Sequence, residues 1–243
     1  MTKTKNKYHI GCSGFYNADW KGSLYPADSQ NKEFLKLYSE VYNTVEINST
    51  FYRKPTAKTL LKWREETPDD FKFIIKIPKT ISHSGYSESK KEAFDIFCNY
   101  INDHLESKLS VFLIQFPASF HCTEANVKWL TETLSTEFVL AVEFRHASWW
   151  NDAIFELFKK RQWIFCGVSF PTKLSEEVIV TNSKTGYYRL HGKPVLYKSL
   201  YSKEFLDHLS KEIKATGKDF YIMFNNTWGT SAVENSLYLK PIL

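Results

Sequence analysis

The chain has 243 residues, is 43% hydrophobic, and carries 32 Lys and Arg against 27 Asp and Glu, a formal charge of +5 at pH 7. That length supports one large core and lies close to the ~250 residues of a (β/α)8 barrel. No run of about 18 apolar residues occurs, so no membrane span and no membrane partner is expected, while the mild basic excess permits a polyanionic partner without requiring one.

The amino terminus, MTKTKNKYHIGCSG, is charged and then strand-like, without the apolar stretch of a signal peptide. The cysteines, Cys12, Cys98, Cys122 and Cys166, are scattered and form no C-x-x-C pair. A cytoplasmic protein with reduced thiols is expected. Short runs rich in β-branched and aromatic residues predict eight strands: Tyr8 to Cys12, Thr44 to Asn48, Phe71 to Pro78, Ser110 to Pro117, Phe138 to Arg145, Trp163 to Ser169, Tyr187 to His191 and Phe220 to Asn225. Helical patterns follow most of them, at Glu33 to Tyr38, Leu60 to Trp63, Phe94 to Leu105, Val127 to Leu134, Ile154 to Phe158, Phe205 to Ile213 and Val233 to Leu239. After the sixth strand, Phe170 to Lys184 holds no helix, and Val178-Ile179-Val180 reads as an extra short strand. No linker, low-complexity run or repeat divides residues 1–243, so they are expected to form a single domain.

Alternating strands and helices imply parallel pairing with right-handed crossovers. Side-chain parity then separates a closed sheet from an open one. In the third strand Phe71, Phe73, Ile75 and Ile77 share an apolar face, opposite Lys72, Ile74 and Lys76. In the fifth, Phe138, Leu140, Val142 and Phe144 oppose Val139, Ala141, Glu143 and Arg145. The eighth sets Phe220, Ile222 and Phe224 against Tyr221, Met223 and Asn225. Apolar faces suit a ring of helices, and mixed faces suit a barrel interior that opens on a site. The expected fold is therefore α/β, a (β/α)8 TIM-like barrel, irregular after the sixth strand.

The mixed faces end in polar groups, strand after strand: Ser13, then Glu46 and Asn48, Lys76, Gln115, Glu143 and Arg145, Ser169, Arg189 and His191, and Asn225. A scaffold would fill such positions with Val, Ile and Leu, because each buried unsatisfied polar group costs ~1–3 kcal/mol. Lys76, Arg145 and Arg189 outnumber Glu46 and Glu143, which suits a phosphate or carboxylate ligand; a closed salt-bridge network among the five is the competing reading. Glu46 or Glu143 can serve as base, His191 as acid or base, and Lys76 as clamp, base or Schiff-base nucleophile. The two glutamates also raise a glycosidase, although their strands lie three apart. His83, His146 and His191 keep a divalent metal open, but no spaced ligand pair appears and no cofactor is expected. The loops carry Phe15, Tyr16, Trp20, Phe51, Tyr52, Tyr86, Trp149, Trp150 and Trp228, which can stack on bases or sugars or merely pack the loops.

The segments Val45-Glu46-Ile47-Asn48-Ser49-Thr50-Phe51-Tyr52, Phe73 through Lys76 with Pro78, Gln115-Phe116-Pro117, Ala141-Val142-Glu143-Phe144-Arg145-His146 with Trp149, Tyr188-Arg189-Leu190-His191-Gly192 and Phe224-Asn225-Asn226-Thr227 resemble the YecE-like proteins, number seventy-two of the domain-of-unknown-function families. The resemblance runs from Tyr8 to the carboxyl terminus and implies a barrel-like fold but no reaction. One departure is Ser82 before His83, where the family pattern has Thr.

The leading expectation is an enzyme for a small anionic substrate, with phosphoester hydrolysis the most natural class. Catalytic roles fall to Glu46, Lys76, Glu143 and His191. Binding roles fall to Asn48, Tyr52, His83, Gln115, Arg145, His146, Trp149, Arg189, Asn225 and Asn226. The alternatives are a nucleic-acid-binding protein using the basic aromatic mouth, and a non-catalytic small-molecule sensor.

Overall fold

The computed structural model describes residues 6–83, 85 and 87–243. The strands are β1 (Tyr8–Cys12), β2 (Thr44–Ile47), β3 (Lys72–Lys76), β4 (Leu109–Gln115), β5 (Leu140–Glu143), β6 (Ile164–Phe165), β7 (Gly167–Ser169), β8 (Thr185–Leu190) and β9 (Asp219–Phe224). The helices between them are α1 (Phe34–Val41), α2 (Ala57–Glu65), α3 (Lys79–Ser82), α4 (Glu88–Leu105), α5 (Glu124–Thr133), α6 (Asp152–Arg161), α7 (Lys203–Thr216) and α8 (Ser231–Leu239). Each predicted helical pattern lies on or overlaps one of these helices. Polar caps begin several: Thr56, Asn151 and Ser202 accept from the backbone N–H of Thr59, Ile154 and Phe205, which satisfies a donor no helical carbonyl can reach. Among the described residues no helix is long and apolar enough to cross a membrane.

All ladders between these strands are parallel, as the alternation predicts. They form two sheets rather than one ring, ordered β2-β3-β4-β5-β6 and β1-β9-β8-β7. The predicted sixth strand is split at Cys166, whose N–H still donates to the Val142 carbonyl (2.9 Å). At the other seam β1 and β2 meet through the Ser13–Glu46 bridge. There the Tyr38 hydroxyl of α1 accepts from Cys12 N–H (2.7 Å) and donates to Thr44 O (3.0 Å), standing in for a ladder bond. Gly11 makes room for it, since a Cβ there would lie 2.3 Å from Thr44 O and 2.8 Å from the Tyr38 hydroxyl.

The parity expectation holds in the packing. Ile74, Val111, Leu113, Ala141, Ile164, Cys166, Val168, Tyr187, Tyr221 and Met223 form one buried cluster on the inward side of both sheets. Val45, Phe73, Ile75, Phe112, Ile114, Val142, Phe144, Ile222 and Phe224 face the helices in the larger core. Each fully buried apolar side chain of this kind contributes ~1.5–3 kcal/mol.

Val178-Ile179-Val180 is not a strand. The segment lies half-buried against the core where a helix would otherwise sit. Side chains tie it down in place of a ladder: Tyr188 donates to Glu176 O (2.7 Å), and Thr181 Oγ1 accepts from Phe165 N–H (2.8 Å) and donates to Trp163 O (2.7 Å).

Candidate functional site

Parallel pairing brings all strand carboxyl ends to one side, so polar residues far apart in sequence meet there. Arg189 of β8 is the hub and is fully buried. It donates through Nε to Glu46 Oε2 (2.8 Å), through Nη2 to Glu46 Oε1 (2.5 Å), and through Nη1 to Glu143 Oε2 (2.5 Å). Glu46 also accepts from Ser13 Oγ (2.6 Å) and the Tyr187 hydroxyl (2.7 Å). Burial raises the Glu46 carboxyl, but the Arg189 charge and these donors outweigh it and hold the group below the usual carboxylate range. Glu143 is held well below that range against the same burial, by Arg145 and Arg189.

Lys76 and Arg145 complete the charged set. Arg145 Nη2 pairs with Glu143 Oε1, close but poorly aligned as a hydrogen bond. The guanidinium Cζ lies over the Phe170 ring, 3.9 Å from its centroid. The Arg145 side chain is only 10% exposed, yet its Nε and Nη1 have no hydrogen-bond partner among the described residues. Lys76 is 8% exposed. Its Nζ donates to Gln115 Oε1 (3.0 Å) and sits 4.2 Å over the Phe51 ring. Burial first, then the Arg189 charge, lowers its pKa from 10.5 to about 8. His83 approaches Phe51 edge-on (5.1 Å) and bonds Ser82 Oγ through Nδ1 (2.9 Å). The Asn48 Oδ1 atom is buried without a partner among the described residues.

His191 is fully buried against Glu143 and the two arginines. Its Nε2 lies 3.3 Å from Glu143 Oε2, 3.3 Å from Arg145 Nη2 and 3.4 Å from Arg189 Nη1. Asn225 Nδ2 donates to its Nδ1 (2.9 Å) as the amide is placed. Burial lowers the ring pKa to about 3; Glu143 opposes this and Arg189 adds to it, so the imidazole is neutral at pH 7. In either tautomer both nitrogens are engaged.

The expected residues therefore divide. Glu46, Glu143, Arg145, Arg189, His191 and Asn225 share one network of hydrogen bonds and ion pairs; Lys76 and Gln115 bond each other beside it, with Lys76 in electrostatic reach of both carboxylates and both arginines, and His83 lies against Phe51. Arg189 was expected to grip a ligand, but both carboxylates saturate its fork. Trp149 was expected to stack on substrate; it is fully buried against Phe144 (4.1 Å) and Phe120 (5.4 Å), and its indole N–H donates to Phe120 O (2.7 Å). His146 lies past the end of β5, where its Nδ1 accepts from Ser148 N–H (3.3 Å) to cap a short turn and its ring stacks on His121 (3.8 Å). Asn226 is fully buried and ties Ser199 O to Asn235 Oδ1 (3.0 Å each), a loop anchor rather than a tip residue. Tyr52 is 75% exposed, outside the network. Of the loop aromatics, Trp20 is core, and Tyr86 lies outside the described residues. No three His, Cys, Asp or Glu side chains converge as a metal set among the described residues.

Two contributors were missed. Tyr187 shares the inward parity of Arg189, so the sequence did signal it. Phe170 has no such signal, because it follows a strand end in an irregular loop.

The profile of the family described as "Protein of unknown function DUF72" matches residues 9–243. The chain belongs to the DUF72 family. This DUF72 chain is 28% identical over 270 residues to the UPF0759 protein YunF of Bacillus subtilis, covering 97% of the chain and 94% of that protein. It is 34% identical over 115 residues to the UPF0759 protein YecE of Escherichia coli, covering 46% and 41%. A crystal structure of a DUF72 family protein from Thermotoga maritima superposes with a TM-score of 0.85 at 29% identity, over 98% of this chain and 99% of that one. A methyltransferase from Methanosarcina mazei shares the fold at a TM-score of 0.59 and 12% identity, over 100% and 94%.

Proposed function

We infer that this DUF72 protein is an enzyme that binds a small carboxylate- or phosphate-bearing substrate at its strand tips, with Lys76 and Arg145 as the contacting groups. The observation that carries this reading is Arg145: a nine-tenths-buried guanidinium with two donors left unpartnered among the described residues. Such donors are costly unless an acceptor arrives, and a planar fork suits an oxyanion. Charge supports it. Three cations against two carboxylates leave an excess of one positive charge with His191 neutral. We read the two sheets as one barrel, bridged at Ser13–Glu46 and at Cys166, which would give the tips a common mouth.

Within this reading Arg189 is structural. Glu46 is saturated with donors, and both glutamates are held ionised by the arginines, so neither suits a general acid, and this weakens the glycosidase alternative. His191 has no free nitrogen with which to activate water. The group left with usable acid–base chemistry is Lys76, and hydrolysis is therefore not favoured over other lysine chemistry.

Thermal-shift screening against phosphorylated metabolites and small carboxylic acids tests the reading. A ligand at 100 times its Kd stabilises by ~2.7 kcal/mol. Stabilisation that Arg145→Gln abolishes supports the site, and no stabilising anion at millimolar concentration overturns it. Stabilisation without turnover marks a sensor.

A second reading rests on the exposed aromatics of the same end. Trp228 is 66% exposed under Lys198 Nζ (4.5 Å), and Tyr52 lies 5.6 Å from Lys79 Nζ. Such pairs suit single-stranded nucleic acid, whose binding would weaken steeply with salt. The buried Lys76 and Arg145 do not suit a polymer.

A further inference from the structure

Lys76 is a buried amine at the end of β3. Among the described residues it forms no ion pair, and its hydrogen bond goes to the neutral amide of Gln115. A clamp for phosphate alone would be served by an exposed lysine. Burial gains nothing for a clamp, since it favours the uncharged amine, here against the attraction of the Phe51 ring for the charged form. It does favour a nucleophile, which must first be uncharged. Arg145, whose charge acts on Lys76, supplies the complement: its Nε and Nη1, without a hydrogen-bond partner among the described residues, can take a carboxylate.

We propose that Lys76 forms an imine with a 2-oxo acid whose carboxylate is held by Arg145. This rests on the anion-site reading above and names the substrate class. The neutral Nζ attacks the keto carbon, forming a C–N bond, and the carbonyl oxygen takes up a proton. The resulting carbinolamine loses that oxygen as water, leaving a protonated C=N. No oxidant or reductant enters. The lowered amine pKa, about 8, leaves a usable neutral fraction at pH 7–8, unlike a surface lysine.

The test is borohydride trapping. The intact protein is incubated with pyruvate and sodium borohydride at pH 7.5, digested, and mapped by mass spectrometry. The expected result is one reduced pyruvate adduct per chain, on the peptide carrying Lys76, absent in Lys76→Arg and reduced about tenfold or more in Arg145→Gln. Adducts spread over exposed lysines, with Lys76 unmodified, overturn the proposal; the wild-type map decides this even if a variant folds poorly. Calorimetry with lactate, which has the carboxylate but no ketone, separates the two layers. Lactate binding without an adduct on Lys76 removes the imine and leaves the anion site. Neither binding nor adduct removes both.

Discussion

Arg189 clasps Glu46 through two parallel hydrogen bonds, Nε to Oε2 at 2.8 Å and Nη2 to Oε1 at 2.5 Å, with both side chains sealed from water. Residues 143 positions apart thus share one buried bidentate pair, and the third guanidinium nitrogen reaches Glu143 across the interior. Removing one partner of a buried pair leaves uncompensated charge, so Arg189→Met should cost ~3–5 kcal/mol in urea unfolding. Arg189→Lys should recover little, because an ammonium cannot fork to three oxygens. Wild-type stability in Arg189→Met would refute the hub role.

Acid should destabilise the protein in two stages. The folded pKa of His191, about 3, lies below its ordinary 6.5, so the unfolded state binds more protons between those values. Its contribution is complete above pH 6.5 and is lost as pH falls toward 3. Glu46 and Glu143, also depressed, contribute above ~4.3 and lose their share below it. Urea midpoints measured from pH 8 to 3 should decline from about pH 6.5, and His191→Gln should flatten the decline above pH 5.

Lys76 carries the opposite liability. Its folded pKa of about 8 lies below 10.5, so charging it opposes folding at neutral pH. Lys76→Met should gain about 1 kcal/mol at pH 7, an advantage that closes as pH rises from 8 to 10.5, while anion binding is lost. A destabilised Lys76→Met at pH 7 would contradict the burial argument.

Trp149→Ala should cost ~3–5 kcal/mol as a cavity mutation. Its retained anion affinity, measured by calorimetry at low temperature, would confirm that this tryptophan packs the fold. Lost affinity with unchanged stability would return it to the site.

The strand tips were legible because parity is a local rule. Glu46, Lys76, Glu143, Arg145, Arg189 and His191 each follow from counting by two along a strand, and parallel pairing does the rest. Parity cannot say which polar groups satisfy one another. The Arg189 fork therefore looked like a ligand clamp until both carboxylates were seen on it. Nor does parity reach the loops. Trp149 and Asn226 sit past their strands' ends, where chain direction is set by packing against Phe144 and Asn235. The Val178 run misled for a related reason, since β-branched residues suit any half-buried extended segment, paired or not.

The most direct measurement is a crystal structure of the protein soaked in selenate, with the anion located by anomalous scattering. The account predicts a selenium peak within hydrogen-bond reach of Arg145 Nε or Nη1 and of Lys76 Nζ, with Arg189 still clasping Glu46. Selenate found on surface lysines alone, with the tips unchanged, would contradict it.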